Sequence, residues 1–130
     1  MSESTFENTP YLNLGTFRKS GVRVDTPVWF AMGSAADQSL LYVFSNQRAG
    51  KIKRLQNSSR CTIVPCTMTG RPTGSWQETE AFLVTDPAEI KAAHHALKQK
   101  YGWQMVLLDA GARIGGRIQQ RRYIRVRQPA

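Results

Sequence analysis

Ser45, Gly50, Lys51, Lys53 and Arg54 sit where an apolar run, Leu40-Leu41-Tyr42-Val43-Phe44, passes through a polar turn into a basic helix start. A helix start leaves its first backbone N–H groups without intrahelical partners and carries a partial positive charge. Cations and a hydroxyl gathered at such a strand-to-helix junction make a receptacle for a phosphate. Lys51 and Lys53 supply charge pairing, each contact worth about 1 kcal/mol or more, and the Ser45 hydroxyl can donate to a phosphate oxygen. The plain alternatives are a solvated basic helix face for the lysines and an ordinary turn residue for Ser45. The chemistry this junction points to is the binding of a phosphorylated cofactor.

Other chemistries find no residues to carry them. The chain has no Ser/His/Asp arrangement, no paired carboxylates and no HxxE-type cluster, so hydrolytic and metal chemistry are without support. His94 and His95 fall on a helix whose apolar stripe runs through Ile90, Ala93 and Leu97, which turns at least one of them to solvent. Neither is given a catalytic task. If a bound cofactor carries the reaction, the protein needs only to bind it, orient it and exclude water.

The elements that must position the junction follow from pattern and punctuation. Tyr11 to Phe17 reads as a first strand, Arg18-Lys19-Ser20-Gly21 as its turn, and Val22 to Met32, rich in Val, Trp, Phe and Thr, as a second strand. Gly33 to Gln38 reads as a loop, and Leu40 to Ser45 as a third strand, the three forming a meander. The unbroken apolar character of the third strand predicts cover on both faces. Gly50 to Gln56 is a short helix and Cys61 to Met68 a fourth strand, where Pro65 implies an edge, a bulge or a face that donates nothing to the ladder. Glu78 to Thr85 is a fifth strand. Asp86-Pro87-Ala88-Glu89 combines an N-cap, a proline at the first helical position and a glutamate three residues after the cap, and Ile90, Ala93, Leu97 and Tyr101 follow at helical spacing. Gly102 ends that helix, Trp103 to about Gly116 is a further helical segment, and Tyr123 to Arg127 is a closing strand. This order suits a mainly β fold, a small closed or split β-barrel of six or so antiparallel strands with two to three helices plugging its ends.

With 130 residues, 41% of them apolar and 21% charged, the chain reads as one soluble domain over 1–130, with the polar residues 1–10 expected to be flexible. No apolar run reaches membrane-spanning length, and the polar start carrying Glu3 and Glu7 is no signal or transit peptide, so a cytoplasmic protein without a membrane partner is expected. Cys61 and Cys66 lie in one strand at an odd separation and therefore on opposite faces, so they do not readily pair. The formal charge of +9 is uneven, with Arg113, Arg117, Arg121, Arg122, Arg125 and Arg127 near the C-terminus and no acidic residue after Asp109. Such a balance favours an anionic partner: nucleic acid, a membrane surface or a phosphorylated small molecule.

The order of elements and several local signatures resemble the pyridoxamine 5′-phosphate oxidase-like FMN-binding split barrels, specifically their branch of deazaflavin (coenzyme F-420)-dependent oxidoreductases. The resemblance is carried by Arg18-Lys19-Ser20-Gly21, Thr26-Pro27-Val28-Trp29-Phe30-Ala31, Leu41 to Leu55, Pro65-Cys66 and Lys100-Tyr101-Gly102-Trp103, and covers about Phe17 to Tyr123. It implies a homodimer with FMN or F-420 in grooves at the interface and hydride transfer to or from a small unsaturated substrate. It also implies that Thr26, Pro27, Val28 and Trp29 back the ring and that Ser45, Gly50, Lys51, Lys53 and Arg54 hold the phosphate. Cys66 and Trp103 join the cofactor-binding set by the same resemblance. Pro27 in mid-strand removes a ladder donor, which suits a strand whose polar groups turn toward a ligand, while Trp29 and Phe30 point in alternate directions, so one of them fills the barrel. Two rival readings stay open: a binding protein for FMN or F-420 that catalyses nothing, and a basic barrel that stacks and tracks nucleic acid.

Overall fold

The computed structural model describes Phe6 and residues 9–35, 38–46, 49–116 and 121–128. Seven strands, β1 (Tyr11–Phe17), β2 (Arg23–Val28), β3 (Phe30–Ala35), β4 (Gln38–Asn46), β5 (Arg60–Cys66), β6 (Gln77–Leu83) and β7 (Arg121–Arg127), accompany three helices, α1 (Gly50–Asn57), α2 (Pro87–Tyr101) and α3 (Trp103–Ile114). The strands form one sheet in the order β2-β1-β5-β6-β7-β4-β3, every neighbouring pair antiparallel.

β2 and β3 stand at opposite ends of that order, yet Trp29 alone separates them in the chain. The sheet therefore curls until its two edges meet at Trp29, giving a mainly β, split-barrel architecture with helices. The extended run from Val22 to Met32 is thus two strands rather than one. One straight strand cannot pair with β1 at one edge and β4 at the other, so the backbone breaks at Trp29 and each half follows its own partner.

β3 continues to Ala35 and β4 begins at Gln38, so most of the stretch read as a loop is strand. Gly33 suggested a turn, but its role is cross-strand: a Cβ there would come within 2.3 Å of the Tyr42 ring. Pro65 is accommodated where β6 has already parted from β5, whose pairing with β6 ends at Ile63 opposite Gln77. There the Pro65 carbonyl accepts from the Thr73 amide at 2.8 Å, and no ladder donor is lost.

Two apolar layers share β4. Leu41 and Val43 belong to a cluster drawn from all seven strands, the barrel interior, which Ile52 and Leu55 of α1 also join. Leu40 and Tyr42, on the alternate face, pack with Ala93, Leu97, Tyr101 and Met105 of α2 and α3. The strand is buried on both sides, as its unbroken apolar character predicts. Phe6, within the segment expected to be flexible, is 1% exposed and meets the Phe30 ring edge-on at 5.9 Å; the rest of residues 1–8 lies outside the described residues. Cys61 and Cys66 are buried, unpaired thiols. No described helix is long and apolar enough to cross a membrane.

Candidate functional site

The end of β4 and the start of α1 come together as the junction requires. Lys51 Nζ donates to Ser45 Oγ at 3.2 Å, joining the first turn of α1 to the strand it follows. Lys51 is a buried residue, 8% exposed, because α1 lies across the barrel with Ile52 and Leu55 turned inward and carries Lys51 in beside them. Burial, and secondly the charge of Arg54, push its pKa below the ordinary lysine value. Arg54 reaches back to β1, its Nε donating to Thr16 Oγ1 at 2.5 Å. Its pKa is lowered by burial and then by the nearby Arg18. Among the described residues none of Lys51, Arg54 and Arg18 has a carboxylate within ion-pair distance.

The backbone of α1 adds to this surplus. Its N-cap is Ala49, which has no side chain to accept from the first turn, and that turn carries no acidic residue. Among the described residues, no N-cap side chain accepts from the N–H groups that open the helix, and the three cations beside them have no counter-ion. A buried ammonium satisfied only by a neutral hydroxyl is costly unless an anion joins it. The donor set therefore fits a phosphate. Gln47 and Arg48, within the turn, lie outside the described residues.

The aromatic part of the site adjoins it. Trp29 stacks on Tyr101, ring centroids 4.2 Å apart and 7° from parallel, and meets Phe44 edge-on at 6.3 Å. Tyr101 is held in turn: its hydroxyl accepts from the Phe30 amide at 3.0 Å and lies 2.9 Å from the Phe30 carbonyl and 2.7 Å from that of Pro10. It thereby satisfies backbone groups on the outer side of an edge strand. Phe44, Ser45 and Asn46 then line a cavity of about 340 Å³ whose other walls are Arg121 of β7 and Leu107, Leu108, Gly111 and Ala112 of α3. Trp29 touches Phe44 and Lys51 bonds Ser45, the next residue of β4, although neither Trp29 nor Lys51 itself lines that cavity.

The remaining expected residues are placed less uniformly. Val28 fills the barrel, Thr26 shares its inward face, and Pro27 is exposed on an edge strand, where a missing N–H costs nothing. Gly50 opens α1 and is exposed; a Cβ there would meet Arg54 Nη1 at 2.6 Å. Lys53 is exposed on the outer face of α1. Cys66 is not brought to the junction: it pairs with Tyr11, whereas Arg54 binds Thr16, which pairs with Cys61 at the other end of β5, roughly 17 Å along the strand. Trp103 is 69% exposed on α3 and does not line the cavity.

Arg121 and Asp109 were not singled out from the sequence. Asp109 lies in Leu107-Leu108-Asp109-Ala110, and no other acidic residue occurs between Glu89 and the C-terminus. A lone carboxylate in an apolar stretch, facing a run of arginines, is a signal for a buried ion pair.

No protein-family model matches the chain, and no curated protein does. Solved structures do. HutZ, the heme storage protein of Vibrio cholerae, superposes with a TM-score of 0.68 at 12% identity, over 95% of this chain and 84% of its own. A protein of unknown function from Agrobacterium tumefaciens gives 0.67 at 13% identity over 94% of this chain, which spans about half of that protein's length, 49%. An F420 reductase gives 0.60 at 15% identity over 100% of this chain and 97% of its own. What the chain shares with these proteins is the fold, an antiparallel sheet curled into a split barrel with helices against it.

Proposed function

We propose that the groove from Trp29 and Phe44 to Ser45 and Lys51 holds a phosphorylated flavin-type cofactor, FMN or coenzyme F-420, and that the chain is an oxidoreductase acting on a small unsaturated substrate. The observation that carries this reading is the buried Lys51 ammonium, bonded to the Ser45 hydroxyl and, among the described residues, paired with no carboxylate, at a helix start whose N-cap offers no side-chain acceptor. Lys51, Ser45 and Arg54 would hold the phosphate, with the α1 amides, and Trp29 would back the ring; Lys53, Cys66 and Trp103 lie outside this group within one copy of the chain. The cofactor, when bound, supplies hydride transfer. The chain's own residues fix its phosphate, offer a flat aromatic wall and keep water from the ring with the apolar side of α3.

A fold shared with an F420 reductase and the family resemblance of the Thr26 to Trp29 and Leu41 to Leu55 stretches both support this reading. The chain acts as one domain in a homodimer. Trp103, Leu107 and Ile114, on one face of α3, are 69%, 61% and 88% exposed, an apolar surface bordering the cavity that a second copy would cover. The nucleic-acid reading loses part of its cation supply: Arg121 is tied to Asp109 and Arg125 to Glu89, while Arg127 lies 3.7 Å from Glu80.

Absorbance and fluorescence titrations of the purified protein with FMN and with F-420 test the proposal. One of the two binds, and binding to neither rejects it. A second reading, storage without turnover, draws on the fold shared with a heme storage protein. It is distinguished by single-turnover measurements on the loaded protein, where persistent absence of cofactor oxidation across a panel of conjugated carbonyl and nitro compounds favours storage.

A further inference from the structure

Three elements meet at Asp109. From α3, one carboxylate oxygen accepts from Arg121 of β7 at 2.6 Å and the other lies 2.7 Å from His94 Nε2 of α2. The Asp109 and Arg121 side chains are 10% and 7% exposed, that of His94 30%. Arg121 lies over the Phe44 ring at 4.7 Å and forms a wall of the cavity beside Ser45 and Asn46. The guanidinium is thus fixed on two sides and turned toward a cavity whose opposite wall is apolar.

Its charge is cancelled by its own partner. With neutral His94, the Arg121 and Asp109 pair offers the cavity no net charge; with the imidazolium, the trio carries one positive charge. Burial works against the Asp109 charge, but hydrogen bonds from Arg121 and His94 outweigh it and hold the carboxyl below its usual range, so it stays ionised at neutral pH. Among the described residues, the ionisable groups nearest His94 along its own helix are Lys91, His95 and Lys98, all exposed, and Glu89, engaged by Arg125 at 2.8 Å and by the Tyr42 hydroxyl at 3.0 Å. On α3, Arg113 follows Asp109 by one turn. Tyr123 of β7 bonds Arg121.

We propose that His94, Asp109 and Arg121 form a proton-linked relay in which protonation of His94 gives Asp109 a second cation and makes Arg121 a net-positive, oxyanion-binding wall of the cavity. Asp109 is the positioning residue. The ligand class is a phosphate, sulfate or carboxylate carried on an apolar body that Leu107 and Leu108 receive. The inference rests on the groove being a ligand site, and not on which cofactor fills it. Affinity for the anion rises when His94 gains its proton, and by reciprocity a bound anion favours the protonated imidazole.

Sulfate tests this, because its charge does not change between pH 5.5 and pH 8. In calorimetric titrations of the full chain, sulfate binds about fivefold more tightly at pH 5.5 than at pH 8. In His94→Gln that ratio falls to near one, while in Lys51→Met the affinity is weaker overall and the ratio persists. NMR spectra of the wild-type protein across this pH range show sulfate increasing the protonated fraction of His94, with His95 as the internal control. The relay is overturned if His94→Gln keeps the wild-type ratio, if sulfate leaves the His94 titration unchanged, or if sulfate does not bind at any pH. An intact sulfate response with no binding of FMN or F-420 would reject the cofactor reading and leave the relay standing.

Discussion

Two helix starts in this chain treat their backbone donors in opposite ways. α2 opens on Asp86, whose side chain accepts from the Ala88 amide at 3.2 Å, with Pro87 removing one donor and Glu89 placing negative charge in the first turn. α1 opens on Ala49, which accepts nothing, with no acidic residue in its first turn and the buried Lys51 in it. α2 satisfies its dipole internally, as a structural helix does. α1 gathers positive charge and satisfies little of it, which raises the cost of folding and lowers the cost of taking up an anion. The difference between the two starts is the clearest sign in the fold of a ligand supplied from outside.

Changes to the two starts should separate binding from stability. Lys51→Met removes the buried ammonium while keeping its stem, and is expected to weaken binding of the preferred cofactor by about 2 kcal/mol, roughly thirtyfold, without loss of thermal stability. A drop in melting temperature with unchanged affinity would show Lys51 to be structural. Ala49→Asp gives α1 the cap that α2 has; it should stabilise the fold by about 1 kcal/mol and weaken cofactor binding about tenfold, both read from melting curves with and without ligand. Equal or tighter binding in this variant would break the comparison. Asp86→Ala should cost about 1 kcal/mol in urea unfolding and leave affinity unchanged. Lys53→Ala, at an exposed position on the outer face of α1, should move both stability and affinity by less than about 0.5 kcal/mol. A larger loss of affinity would extend the phosphate site around the helix.

Much of this arrangement was legible in the chain itself. The bounds of β1, the cap of α2, the start of α1 and the two-sided burial of β4 all follow from local pattern: punctuation, periodicity and capping chemistry act over a few residues, and nothing tertiary overrides them here. The break at Trp29 was not legible, because it is imposed by closure of the sheet and the residues around it have strand propensity throughout. Gly33 misled for a related reason: its small size serves the ring of Tyr42 across the ladder, and a turn glycine looks the same in one dimension. At the site, Ser45 and Lys51 could be paired by spacing alone, whereas Arg121, 12 positions from the Asp109 that holds it, reaches the end of β4 through the register of β4 on β7, which sets it opposite Asn46. Resemblance extended to Cys66 and Trp103, of which Cys66 stands at the end of β5 away from the junction and Trp103 does not line the cavity.

The meeting of the two sheet edges at Trp29 bears on how the barrel breathes. No ladder of hydrogen bonds joins β2 to β3 in the order of the sheet; what closes the seam there is the chain itself, the Trp29 stack on Tyr101, and a tyrosine hydroxyl binding the Phe30 backbone 71 positions away. Side-chain fastenings of this kind release at lower cost than paired strands, so the seam is the easiest route by which solvent reaches the interior. Native-state hydrogen exchange should therefore find the amides of β2 and β3 less protected than those of β5 and β7, which have a paired strand on either side. A ligand seated against Trp29 would narrow that gap by fastening the seam. The indole proposed as a wall for the cofactor ring would then also act as the clasp of the barrel.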